Sequence, residues 1–255
     1  MKRFLVINPN TTVEVTHLLK SSMTQFSSSL IEIETVTASI GANYIADEAS
    51  YVIASYSVLD SWSQSLESDR IDFDHILIGC FGDPGLHALK ECSRIPVTGL
   101  AHASFLKASQ YGSFGVVTGG QKWGPMIERL AGALGFGNSL KVVSTLDETG
   151  LFFMENPQAG EELLIHACNK AIDEHRLECV IIGGAALTGF AQRIQSRVKA
   201  PLIDCVQAAI EVMCAPAQSM NTQDCISPRL TLMNVTQSLQ KLHTRSHKPI
   251  EESLN

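Results

Sequence analysis

The sequence predicts an α/β protein of two pseudosymmetric lobes, each a parallel sheet flanked by helices, with the active-site cleft between them. Three observations carry this. Apolar strand-type runs alternate with helical stretches along most of the chain, the pattern of parallel sheets covered on both faces. That pattern restarts near residue 114. Two strand–glycine–helix units, HILIGCFGDPGL (75–86) and CVIIGGAALTGF (179–190), then occupy matching places in the two halves.

In the first half, FLVI (4–7) reads as a buried strand, and NPNTT offers Asn and Thr caps to a helix running to about residue 28. IEIETVTA (31–38) alternates as a strand should, and 45–69 has helical spacing with few breakers. HILIG (75–79), GLHALKEC (85–92) and PVTGL (96–100) follow as strand, helix and strand. The second half repeats the series. FGVVT (114–118) is a strand, about 122–134 a helix, KVVST (141–145) a strand and about 158–175 a helix. CVIIG (179–183), a helix at about 188–198, PLIDC (201–205) and a last helix from Val206 to Met213 complete it. VINPNTT (6–12) thus opposes VVTGGQK (116–122), and IPVTGLAHASFLKA opposes APLIDCVQAAIEVM. The expected organisation is lobe 1 over 1–100, completed by the helical region at about 206–230, lobe 2 over 101–205, and a polar tail over 231–255 that packs little. In such a duplication the loops after the strand ends face each other across a ligand cleft.

Composition narrows the function. The 255 residues suffice for a large core. With 26 acidic against 19 Lys and Arg residues the net charge is −7, which argues against a general nucleic-acid binder. No apolar run approaches the roughly 18 residues of a membrane span. The basic start MKRFLVINPN stops at Asn8-Pro9, too early for a signal-peptide core. Seven scattered cysteines without a Cys-x-x-Cys pair suit reduced thiols in a cytoplasmic protein. GALGFG (132–137) and GGQKWG lack the spacing of nucleotide loops, no G-x-S-x-G elbow is present, and His166 with Cys168 makes no metal-ligand set. Expected partners are a small-molecule substrate, with no nucleic acid, membrane or metal; a homo-oligomer stays open.

The candidate site residues gather at strand ends. Cys80 ends the HILIG strand, followed by Phe81, Gly82 and Asp83, where backbone N–H groups can receive a carbonyl or carboxylate oxygen. Asp83 suits either ligand contact or capping of the helix that begins beside it. Asn8 ends the first strand, and its amide either donates to and accepts from a ligand, the favoured reading, or caps the helix that follows. Thr118 is its counterpart in the second half. Asn10 and Thr11 read as helix caps ahead of ligand contacts, and His102 as a helix-surface residue ahead of a cleft contact. Gly184 and Ala185 lie in the second ligand loop. Asp204 orients backbone or ligand, or caps the helix from Val206.

INPNTT (7–12), GCFGDPGL (79–86) and the Gly-x-Ala stretch with PLID in the second half resemble the aspartate/glutamate/hydantoin racemase superfamily, nearest its hydantoin and allantoin racemase branch. The resemblance covers about residues 1–214. It implies no cofactor, a small carbonyl ligand in the cleft, and two cysteines on opposite faces of the ligand carbon. Cys80 matches the first cysteine, and Gly184 stands where the second would be. The implied reaction is proton transfer at a carbon alpha to a carbonyl in a small ureide, hydantoin or amino-acid derivative. Such chemistry builds an enolate and needs an acid–base group of suitable pKa; a free thiol near 8.5 serves when its surroundings tune it. Gly184 opens two other readings, a one-thiol decarboxylase or one-sided isomerase, and a non-catalytic binder of a nitrogenous metabolite. Cys205 is the candidate second acid–base group, or else a small apolar residue packed under its helix.

Overall fold

The computed structural model describes residues 1–66, 72–215 and 232–240. Strands β1 (Lys2–Asn8), β2 (Ile31–Thr37), β3 (His75–Ile78) and β4 (Val97–Gly99) form one parallel sheet in the order β2-β1-β3-β4. Strands β5 (Phe114–Gly119), β6 (Leu140–Leu146), β7 (Cys179–Gly183) and β8 (Leu202–Asp204) form a second in the matching order β6-β5-β7-β8. The common order is the structural form of the internal duplication. Central strands carry unbroken apolar runs because both faces are covered: Phe4 to Ile7 and Ile76 to Ile78 are all buried. Edge strand β2 keeps its charged alternation, and Glu32 and Glu34 both pair with Arg3.

The helices are α1 (Val13–Phe26), α2 (Glu48–Ser65), α3 (Leu86–Cys92), α4 (Leu100–Ala108), α5 (Trp123–Ala133), α6 (Gly150–Glu155), α7 (Pro157–His175), α8 (Phe190–Ile194) and α9 (Cys205–Cys214). Helix α4 leaves the first sheet at β4 but packs on β7 and β8 of the second; α9 leaves β8 and packs on α1 of the first. The two crossing helices also pack on each other, so one apolar core runs through both lobes. Phe105 of α4 is its centre. Its ring centroid lies 5.7 Å from Phe114, 5.7 Å from Phe136 and 6.3 Å from Phe81.

Several expectations need correction. Helix α4 was foreshadowed, without bounds, by the helix reading of His102 and by the match of 95–108 to 200–213, and α6 has no counterpart among the elements expected from the sequence. In α4, LAHASFLKA, most residues are buried, so no polar stripe marks the helical period; α6 has only six residues. The helix expected at 188–198 is the short α8 followed by a 3₁₀ turn at Gln195–Arg197. The last helix starts at Cys205, because Asp204 caps it with bonds to the Val206 and Gln207 amides. Part of the supposedly loose tail packs as well: Leu239 is buried beside Val58 and Trp62, and the Thr236 hydroxyl bonds to the buried Asp60 carboxylate. The rest of that tail, 241–255, and residues 216–231 lie outside the described residues.

Because Phe105 joins both lobes, Phe105→Ala should cost about 3–5 kcal/mol, the range for truncating a buried Phe. Equilibrium denaturation followed by fluorescence and by circular dichroism should give one coincident transition in both proteins, at lower denaturant in the variant.

Candidate active site

In parallel α/β sheets, side chains that meet ligands come from the loops after the strands' C-terminal ends. Here those loops touch each other across the lobes. The Phe81 ring packs on Gly183, where a Cβ would stand 2.4 Å from Phe81 Cε1. Trp123 of α5 packs as closely on Gly82, with Tyr51 of α2 beside it. The junction therefore brings together Cys80, Phe81 and Gly82 from lobe 1 with Thr118, Gly184 and the neighbouring Ala185 from lobe 2.

Cys80 follows β3 and keeps part of its surface open. Burial of most of the side chain pushes its thiol up to about 12; the Gly82 amide, bonded to it, pulls the other way, and the Asp83 charge adds to the rise. The resting group at neutral pH is thus a thiol. Asp83 turns away from its own helix α3. Its Oδ1 accepts from the Ala101 amide at 3.0 Å and its Oδ2 from the His102 amide at 2.7 Å, so the helix it caps is α4. Burial nevertheless raises its carboxyl to about 7, against the pull of those two bonds. His102 is no surface residue: it is part-buried, its Nδ1 lies 2.8 Å from the Thr98 hydroxyl, and burial lowers its imidazole to about 4.

Asn8 and Thr118 occupy matching strand ends but differ in what is left to offer. Asn8 is fully buried, and its Nδ2 lies within 3.1 Å of Asn10 Oδ1, the Thr12 carbonyl and the Thr16 hydroxyl. Its Oδ1 accepts from the Asn10 amide. The amide is spent on shaping the loop into α1. Asn10 takes part in that turn, accepting from the Thr12 amide, and neither it nor Thr11 caps the helix, whose N-cap is Thr12. The Thr118 hydroxyl, by contrast, has no hydrogen-bond partner among the described residues, and it sits 4.0 Å from where a Cβ of Gly184 would be.

Gly184 follows β7 with φ 134° and ψ 133°, a backbone conformation that essentially only glycine adopts. Space is not the obstacle, since the atoms nearest a Cβ there are Leu187 carbons at 3.7 Å. The Gly184 amide bonds to the thiol of Cys205, which is completely buried as the first residue of α9 rather than the end of a strand. Burial, with the Asp204 charge adding to it, drives that thiol well above the ordinary cysteine range. Asp204 also accepts from the Gly189 amide at 2.6 Å.

A family model described as Asp/Glu/Hydantoin racemase matches residues 4–213, a span that holds both sheets. The chain belongs to the Asp/Glu/hydantoin racemase family. Racemases are isomerases, and that is its enzyme class. It is 30% identical over 207 residues to a hydantoin racemase of Pseudomonas sp. (strain NS671), covering 81% of this chain and 82% of the relative. To a hydantoin racemase of Rhizobium meliloti it is 31% identical over 215 residues, covering 81% and 85%. The crystal structure of allantoin racemase from Pseudomonas fluorescens superposes with a TM-score of 0.78 at 26% identity, over 83% of this chain and 88% of that one. Within this racemase chain, three cleft residues escaped the sequence reading. The Tyr44 phenol accepts from the Trp123 indole and the Gly150 amide, and Tyr51 flanks Gly82. They come from α2 and the segment before it and from α5, remote in sequence from Cys80, and no local pattern marks them.

Two predictions follow from these placements. Asn8→Ala should destabilise by about 1–3 kcal/mol, because it strands buried partners, while Thr118→Val should change stability by no more than about 0.5 kcal/mol. Denaturation midpoints of the two variants check the contrast. His102 is held neutral, so its contribution to stability is present above about pH 6.5 and lost as pH falls toward about 4. His75, lowered to about 4 by burial, acts in the same window. Melting temperatures measured from pH 7 to pH 4 should fall less steeply in His102→Gln than in the wild type, with the His75 share remaining.

Proposed function

We propose that this racemase-family chain catalyses cofactor-independent proton transfer at a carbon alpha to a carbonyl, in a small ureide, hydantoin or amino-acid derivative, with Cys80 as the acid–base group. The observation that carries this reading is the placement of the thiols. Among the described residues, Cys168, Cys179 and Cys205 are buried, and the more open Cys92 and Cys214 end helices α3 and α9, whereas Cys80 is part-open at a strand end facing the second lobe's loop. At neutral pH the Cys80 thiol is set up to give a proton to an enolate. It abstracts one only through its thiolate, so the abstraction step should quicken as pH rises. Thr118, with its hydroxyl uncommitted, positions the ligand carbonyl from lobe 2. Asn8 supports that geometry from behind, by holding the first loop. The names of the relatives, hydantoin racemase and allantoin racemase, support the substrate class.

A second reading has its own observation. Gly184 through Leu187 carry no titratable side chain, and the backbone at Gly184 disfavours one. Chemistry from the Cys80 face alone suits a one-sided isomerase, or a decarboxylase that protonates its enolate from one side.

Proton–deuterium exchange of allantoin and of 5-substituted hydantoins, one enantiomer at a time, separates these readings. Cys80→Ser should lose roughly 10²–10⁴-fold in exchange, the weight of one general acid–base group, with the fold retained. Near wild-type exchange in that variant would remove Cys80 from the mechanism, and no exchange by the wild type on any of these compounds would favour a binder. Gly184→Cys should cost about 1–3 kcal/mol of stability through its backbone conformation, yet raise exchange from the slower enantiomer, because the space for a thiol is there.

A further inference from the structure

Superposing the duplicated halves by sequence sets Gly99 against Asp204, Leu100 against Cys205, and Asp83 against Leu187. In lobe 2 the carboxylate that caps the crossing helix α9 belongs to the strand end. Asp204 accepts from Val206 and Gln207, and reaches the ligand loop at Gly189. In lobe 1 the strand end is Gly99, which has no side chain to offer helix α4. The corresponding carboxylate is still present, accepting from the corresponding amides, Ala101 and His102, but it comes from the ligand loop. The exchange is sterically reciprocal: a Cβ on Gly99 would lie 2.1 Å from Asp83 Cγ. Each lobe therefore ties its ligand loop to its crossing helix through one buried carboxylate, attached to opposite sides of the tie.

We propose that Asp83 is a positioning residue for Cys80, pinning the loop 80–85 to the N-terminus of α4 and so fixing where the thiol stands in the cleft. Three features support a function beyond capping. Asp83 adopts φ 49°, uncommon outside glycine, asparagine and aspartate. Its amide bonds back to the Cys80 carbonyl at 3.1 Å, so the carboxylate anchor lies one turn from the thiol. It is also the charge that bears on the Cys80 thiol. The other groups around it are Lys90 of α3, Tyr51 of α2 and Cys205 of α9. The inference rests on the assignment of Cys80 as the acid–base group.

The test compares three variants in two assays, iodoacetamide modification of Cys80 against pH and hydantoin exchange kinetics. Asp83→Asn tolerates the backbone conformation but removes the charge and one of the two acceptors. It should shift the alkylation profile to lower pH and reduce kcat roughly tenfold to hundredfold, with KM little changed, as expected for misplacement of a reacting group. Asp83→Gly with Gly99→Ser restores a cap that is too short to reach the loop; it should regain melting temperature but not kcat. Asp83→Gly with Gly99→Asp rebuilds the tie in the manner of lobe 2 and should regain both, along with the wild-type alkylation profile. The extended backbone of Gly99 accepts such a cap. The inference is overturned if Asp83→Asn matches the wild type in both assays, or if the Ser variant regains kcat as fully as the Asp variant, which would leave Asp83 only a helix cap. If Asp83→Asn does not fold, the two double variants decide. If Cys80→Ser proves active, the assignment of Cys80 falls, while the alkylation profiles still report whether Asp83 positions the thiol.

Discussion

The crossing of α4 and α9 is the constraint on which the cleft depends. Each lobe sends its last helix onto the other, and the aromatic contacts of Phe105 close the seam. A core continuous through both lobes holds the two ligand loops against each other. It also removes water from the helix starts that the loops rest on. There a hydrogen bond to a carboxylate is strong, and an ionised group is costly. The high thiol range of Cys80, the raised carboxyl of Asp83 and the neutral His102 all follow from that dryness.

Much of the fold was legible because hydrophobic pattern and secondary structure agree in it. The central strands read as apolar runs, and the duplicated strand–glycine–helix units fixed both lobes and the position of Cys80. The bounds of helix α4 were not legible, since burial on most sides erases the periodicity by which a helix is recognised. Asn8 and Thr118 show a different limit. The sequence places both at equivalent strand ends, but only coordinates reveal that Thr16 and the 10–12 turn consume the asparagine's hydrogen bonds while the threonine keeps its own. Asp83 shows a third, because its partner amides lie 18 and 19 residues away and no local motif encodes that reach.

Gly184 differs from Cys80, its counterpart in the duplication, in more than a side chain. Here the loop has taken a conformation that essentially only glycine holds, and the Gly184 amide is bonded to the buried Cys205 thiol. The asymmetry between the lobes is therefore built into the main chain.

The contact between α2 and α5 is fastened differently from the seam of α4 and α9. Arg129 of α5 grips Glu48 of α2 through two bonds of 2.6 and 2.9 Å, and Lys122 reaches Asp47 at 3.4 Å, all with side chains in contact with solvent. Salt weakens solvent-exposed ion pairs of this kind, whereas apolar contact is not weakened that way. Ionic strength thus weakens the ionic tie between α2 and α5 and spares the apolar seam of α4 and α9, so the two contacts between the lobes answer differently to the salt content of the surroundings.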